Sequence, residues 1–183
     1  MMRWMLLLLG GALLGGIVHL ATIMLVPRTA TQDAYSRLEP TAAVNTITAL
    51  APPKPEGSST SFMDPAFATA VCRYDLSSGS LKLSVPVSQA YTSVTFYTRY
   101  GVAYYAINDR AAGRRVIELD LMTLEQHAQL PEEEDVTAAD RLIVDSPTVT
   151  GLIAIRALAP EPGLMPMARA ALAAAKCARQ DPK

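Results

Sequence analysis

Histidine and cysteine are scarce in this chain. His19, His127, Cys72 and Cys177 are all that its 183 residues hold, too few for a four-ligand zinc centre unless carboxylates contribute. An excess of one charge is lacking too. Sixteen basic residues face seventeen acidic ones, for a net charge of −1, so no global field gathers nucleic acid by counterion release. The motifs GxSxG, GxGxxG, HExxH and the P-loop are missing, and with them the nucleophile elbow, the dinucleotide and phosphate cradles and the helical zinc site. No catalytic residue, no metal ligand and no cofactor is expected. His127 falls on the polar surface of a short segment, LEQHAQL, and the acidic run Glu132 to Asp135 lacks the alternate spacing of a calcium loop and reads as solvated.

Also absent is any charge between Trp4 and Val26, a run of 23 mostly apolar residues bounded by Arg3 and by Pro27-Arg28. At about 1.5 Å per residue such a helix spans the roughly 30 Å hydrocarbon core of a bilayer. A cleaved signal peptide is the competing reading. Its apolar region is normally about 7 to 15 residues and ends in small residues at the cleavage site, whereas this run is longer and puts His19 where a small side chain is wanted. An uncleaved anchor over residues 4–26 is expected. The flanking basic residues, Arg3 against Arg28 and Arg37, do not decide its orientation. The three-residue tail (1–3) and the two cysteines favour a cytoplasmic N-terminus with the main domain translocated to the periplasm of a bacterial inner membrane. Within the span Gly11 and Gly15 lie four apart, a small-xxx-small surface suited to helix-helix contact, although glycine is also common in membrane helices.

After the anchor, residues 27–61 mix Pro, Ser, Thr and Ala and read as a stalk or linker. From residue 62 onward the period shortens to that of strands. Ala68 to Leu76 and Ser80 to Val85, joined by Ser-Ser-Gly, predict a hairpin. Tyr91 to Tyr97, Val102 to Ile107, Arg115 to Leu119, Arg141 to Val144 and Leu152 to Leu158 predict further strands. Short strands with turn signals at this spacing predict an antiparallel sandwich or barrel. Thr123 with Gln126 forms a capping-box pattern opening a short helix, and Met165 to Ala178, rich in helix formers, predicts a C-terminal helix carrying Cys177 near its end.

Cys72 and Cys177 are expected to pair, tying the last element to the first strand. Two free buried thiols are the alternative, and the oxidising compartment favours the bond. Tyrosines at 91, 97, 100, 104 and 105 cluster along neighbouring predicted strands. Such aromatics serve packing more often than binding, but Tyr97, Tyr100, Tyr104 and Tyr105, with Arg99 and Arg156 able to hold an anion by the guanidinium fork, form a candidate ligand or partner face.

The segments YDLSSGSLKLSVPV, YTSVTFYTRYGVAYYAIND and VDSPTVTGLIAIRAL together resemble the proteobacterial domain of unknown function twelve fifty-four, over residues 62 to 178. The resemblance implies a jelly-roll-like β-sandwich. In membrane-anchored members it implies a partner from the companion domain of unknown function twelve fourteen, itself able to be membrane-tethered. The stretch Asp64 to Leu76 departs from the pattern of longer members, so no role is carried over there. The expected whole is a mainly β protein: an antiparallel jelly-roll-like sandwich (62–183) with a C-terminal helix, preceded by one transmembrane helix. Its expected role is an interaction or structural module of the cell envelope, touching lipid and a protein partner but no nucleic acid. The alternative is a small-ligand binder or enzyme using the tyrosine-lined face.

Overall fold

The structure, a computed structural model, describes residues 1–29, 33–52, 63–113, 115–130 and 142–180. They divide into two units, Met1–Asp33 and Ala34–Lys183. The first is helix α1, Met2–Thr29. Residues Met2–Val26 of this helix are long and apolar enough to cross a bilayer, as an anchor or as a signal sequence. Gly11 and Gly15 lie on it with open space beside their Cα atoms.

The second unit is a two-sheet β sandwich. Its strands are β1 (Ile47–Ala49), β2 (Phe67–Asp75), β3 (Leu81–Pro86), β4 (Thr92–Thr98), β5 (Ala103–Asn108), β6 (Val116–Thr123), β7 (Leu142–Ser146), β8 (Thr150–Leu158) and β9 (Lys176–Arg179). One sheet has the order β1-β2-β8-β4-β5 and the other β7-β6-β3-β9. Alternation determines which side chains enter: Val94 and Phe96 of β4, Ile153 and Ile155 of β8, and Leu81, Leu83 and Val85 of β3 are buried, while the residues between them point outward. Burying such an aliphatic side chain contributes about 1.5–3 kcal/mol.

The predicted hairpin of β2 and β3 does not form. The two strands lie in different sheets, and the turn between them, with Gly79 at φ 132°, carries the chain from one layer to the other. β2 pairs instead with β1 and β8, and β3 with β6 and β9. β4 and β5 do form a hairpin, with a register shift between Phe96 and Tyr97. β6 runs on to Thr123 and pairs with β7 in parallel. The Thr123–Gln126 capping box is present and opens helix α4, Leu124–Ala128, which follows the short helices α2 (Ala34–Leu38) and α3 (Asp109–Ala112).

Two boundaries move. The C-terminal helix, α5, covers Met165–Ala173 only, and Cys177 sits in strand β9 opposite Leu83 of β3. Pairing with an open sheet edge there overrides the helix propensity of the alanines. The segment read as a stalk is partly built into the sandwich unit. Leu38 and Ala42 pack on Val71 over the outer surface of β2, and β1 extends the sheet. Asn45, in the left-handed region at φ 55°, ties this segment down by accepting from the Asp75 N–H at 2.9 Å and donating to its carbonyl at 3.0 Å. Residues 30–32 and 53–61 of the linker reading, the acidic run Glu132 to Asp135, and Arg141 lie outside the described residues.

The two ends of the sandwich are closed differently. At one end α5 lies across the core and contributes Ala168 and Leu172. The other end carries the β2–β3, β4–β5 and β7–β8 turns together with α4, and polar side chains close it. The Cys72–Cys177 disulfide joins β2 of one sheet to β9 of the other, so it staples the two layers and not merely two distant parts of the chain.

Candidate functional site

Tyr74, at the last inward position of β2, is fully buried with its phenol at the polar end. Its hydroxyl lies 2.9 Å from Ser146 Oγ, 3.2 Å from the Tyr104 hydroxyl and 3.2 Å from the Tyr97 carbonyl. Ser146 donates to the Thr148 carbonyl at 2.7 Å. The Tyr74 hydroxyl donates to the Tyr97 carbonyl, which can only accept, and Ser146 Oγ and the Tyr104 hydroxyl lie within hydrogen-bond distance of its oxygen. Desolvation by burial pushes the Tyr104 phenol above its ordinary value, with the neighbouring Tyr74 adding to the rise and the Ser146 contact opposing it. The Tyr104 phenol therefore stays neutral, and it and Tyr74 serve as hydrogen-bonding plugs. Replacing Tyr74 by Phe leaves Ser146 and Tyr104 short of a partner, and urea denaturation should register a loss of about 1–3 kcal/mol.

Gly151 is the residue that lets Tyr74 reach this position. It stands opposite both Tyr74 and Thr98 in the sheet, and a Cβ there would collide with the Tyr74 ring and hydroxyl and with the Tyr97 carbonyl. Ser146, Thr148 and Gly151 of the Ser-Pro-Thr-x-x-Gly segment thus serve one structure. Thr148 adds a link, its Oγ1 accepting from the Arg99 N–H at 3.4 Å.

Arg99 carries the cluster outward. Its guanidinium lies 4.4 Å from the centre of the Tyr35 ring and donates to Ser36 Oγ at 3.1 Å. The guanidinium of Arg73 lies 4.3 Å from the same ring, donates to the Ala42 carbonyl at 3.1 Å and stands 3.9 Å from the Glu39 carboxylate. Arg73 is only 5 % exposed. Two cation–π contacts, each about 0.5–2 kcal/mol, therefore hold α2 against the outer surface of the sheet.

The candidate face is accordingly divided. Tyr104 and Tyr105 pack on the core, with ring centroids 6.2 and 5.8 Å from Phe96. The register shift opposite Phe96 brings two consecutive tyrosines to the same side. Tyr97 points to the outer surface, Tyr100 lies on the β4–β5 turn, and Arg99 is stacked on Tyr35. Arg156 is exposed and paired in register with Ser93, six residues along β4 from Arg99. At about 3.3 Å per residue the two arginines are some 20 Å apart, so they do not share one anion. A cleft of about 220 Å³ exists elsewhere, beside β1 and α5, lined by Leu50, Met63, Phe67, Met165, Arg169 and Leu172 among others, with none of the candidate tyrosines.

His127 lies at Nδ1 2.8 Å from Asp145 and ties α4 to β7. Among the described residues no group of three or more His, Cys, Asp or Glu side chains converges to hold a metal ion. Tyr35, Arg73, Tyr74, Ser146 and Gly151 were not singled out by sequence reasoning as site residues. Their visible signals were two, a charged and an aromatic residue side by side in a strand, Arg73-Tyr74, and the late Ser-Pro-Thr-x-x-Gly segment.

A family model described as "Protein of unknown function (DUF1254)" matches residues 44–179. The chain belongs to the DUF1254 family. The match opens at Val44, within the segment packed on β2. A crystal structure of the VPA0106 protein from Vibrio parahaemolyticus superposes on this DUF1254 chain with a TM-score of 0.59 at 12 % identity, over 81 % of this chain and 35 % of that one. An uncharacterized protein from Burkholderia cenocepacia aligns with a TM-score of 0.47 at 14 % identity, over 68 % of this chain and 33 % of that one. This chain thus spans about a third of the length of these solved structures. Among curated proteins no sequence match is found.

Proposed function

We propose that this DUF1254 protein is a single-pass inner-membrane protein whose periplasmic β-sandwich is a non-catalytic interaction module of the cell envelope. The observation that carries the reading is an apolar helix, Met2–Val26, long enough to cross a bilayer, in the same chain as a separate sandwich unit. Such a helix is stable in lipid and costly in water. The Cys72–Cys177 bond supports the periplasmic orientation, because disulfides persist in oxidising compartments, and with it a cytoplasmic N-terminus for residues 1–3. The Gly11 and Gly15 surface offers a contact for a second membrane helix.

The partner we propose is a protein of the companion domain of unknown function twelve fourteen, itself membrane-tethered. Its docking face is the outer surface of β4 and β8 that α2 leaves uncovered, where Tyr97 and Arg156 stand. The division of the tyrosines favours a partner over a small ligand, since Tyr104 and Tyr105 are spent on the core. Affinity purification of the full chain from membranes in mild detergent should bring down one stoichiometric membrane protein. Arg156→Glu should weaken that association at least tenfold while leaving the thermal midpoint unchanged. A partner-free monomer would sink the proposal.

A further inference from the structure

The turns at the polar end are joined to one another by hydrogen bonds. Arg99 reaches Ser36 of α2 from its side chain and Thr148 of the β7–β8 turn from its backbone. The Leu76 N–H of the β2–β3 turn donates to the Val149 carbonyl at 2.9 Å, and Gln126 of α4 donates from Nε2 to the Leu76 carbonyl at 2.8 Å. α2, three turns and α4 thus form one rim. Three of those pieces expose large apolar side chains: Tyr100 at 46 % and Val102 at 58 % on the β4–β5 turn, Val149 at 48 % on the β7–β8 turn, and Leu124 at 66 % at the start of α4. Among the described residues the α5 end offers only Met167 in that class. Single exposed apolar side chains are ordinary, whereas four gathered on one hydrogen-bonded rim call for a covering surface.

Chain connectivity says what that surface is. Only residues 30–33 separate Thr29, where α1 ends, from α2, and α2 is held on this rim by Tyr35 between Arg73 and Arg99. We infer that the rim rests on the lipid bilayer, with Tyr100, Val102, Leu124 and Val149 entering the headgroup region. This rests on the membrane-anchored reading above. Tyrosine, with an apolar ring and a polar tip, suits that depth. The contact leaves the outer surface of β4 and β8 free for a protein.

Trp4 is the single tryptophan of the chain, which makes fluorescence a direct test. The full chain is reconstituted in phosphatidylcholine vesicles carrying bromine at shallow acyl positions, about 5–10 Å below the headgroups, the depth reached by interfacial apolar side chains. Three proteins are compared: wild type, Trp4→Phe/Val102→Trp, and Trp4→Phe/Ala111→Trp, the last placing the probe on the exposed surface of α3 at the opposite end. Brominated lipid should quench Trp4, and should quench the probe at position 102 severalfold more than the one at 111, with a blue-shifted emission at 102. If Trp4 is quenched and the probes at 102 and 111 respond equally weakly, the lipid contact is wrong and the anchor stands. If Trp4 itself is unquenched, the anchor fails and the lipid contact falls with it. A blue shift at 102 without quenching overturns the inference in favour of burial by a protein.

Discussion

Gly151→Ala is expected to cost this protein about 3 kcal/mol or more, at the upper end of what overpacking a core produces. The position is interior, between Tyr74 of β2 and Thr98 of β4 in the middle of a sheet. An added methyl meets two obstacles at once, the Tyr74 phenol and the Tyr97 carbonyl. The first can retreat only by giving up Ser146 and Tyr104, and the second is backbone paired across the sheet. Gly151→Ala combined with Tyr74→Phe should therefore recover only part of the loss, since the Tyr97 carbonyl still stands in the way. Urea denaturation of the three variants measures this. A Gly151→Ala protein within 0.5 kcal/mol of wild type would show that β8 can slide at this end, against the close packing that interiors maintain.

Removing the disulfide should cost still more. The Cys72–Cys177 bond closes a loop of 105 residues, and restricting the unfolded chain to that extent is worth about 4–5 kcal/mol in the chain-entropy account. That is a large share of the stability of an ordinary domain. Cys72→Ser/Cys177→Ser should lower the thermal midpoint by about 10–20 °C for a unit of this size. Reductant should do the same to wild type and nothing further to the variant. Mass spectrometry of the membrane-extracted protein under non-reducing, alkylating conditions provides the independent check. Two alkylated thiols in the native protein would remove both the staple and the main support for a periplasmic domain.

How far the sequence could be read depended on whether a property was local. The strands were legible because alternation is a property of five to nine neighbouring residues, as in Thr92–Thr98. Which strand lay beside which was not. Alternation assigns Leu81, Leu83 and Val85 to an inner face without saying on which sheet, and so the Ser-Ser-Gly turn reads as a hairpin although it crosses between layers. The Thr123 capping box was legible for the same local reason. The end of the last helix was not, since nothing near Lys176 announces that β3 offers it an open edge. Of the site, the tyrosine-rich hairpin was visible, but its division into packed and exposed members depends on a register shift opposite Phe96. The hub of the cluster, Tyr74, escaped because its partners Ser146 and Gly151 lie more than seventy residues further on. The boundary of the domain was misplaced because a polar, proline-bearing segment gives no sign that Leu38 and Ala42 will find Val71.

The position of β8 in the five-stranded sheet bears on when the protein can fold. It is the central strand, hydrogen-bonded to β2 on one side and β4 on the other, yet it comes after both of them in the chain and, among the described strands, only β9 follows it. Until Leu158 is available to meet Phe67, β2 and β4 have no common neighbour and their apolar faces have nothing to close against. Native contacts this distant in sequence place a β protein among the slow folders, in the millisecond-to-second range. The sandwich must therefore assemble late and as one event, and a chain cut short before β8 should yield no partly folded sandwich to isolate.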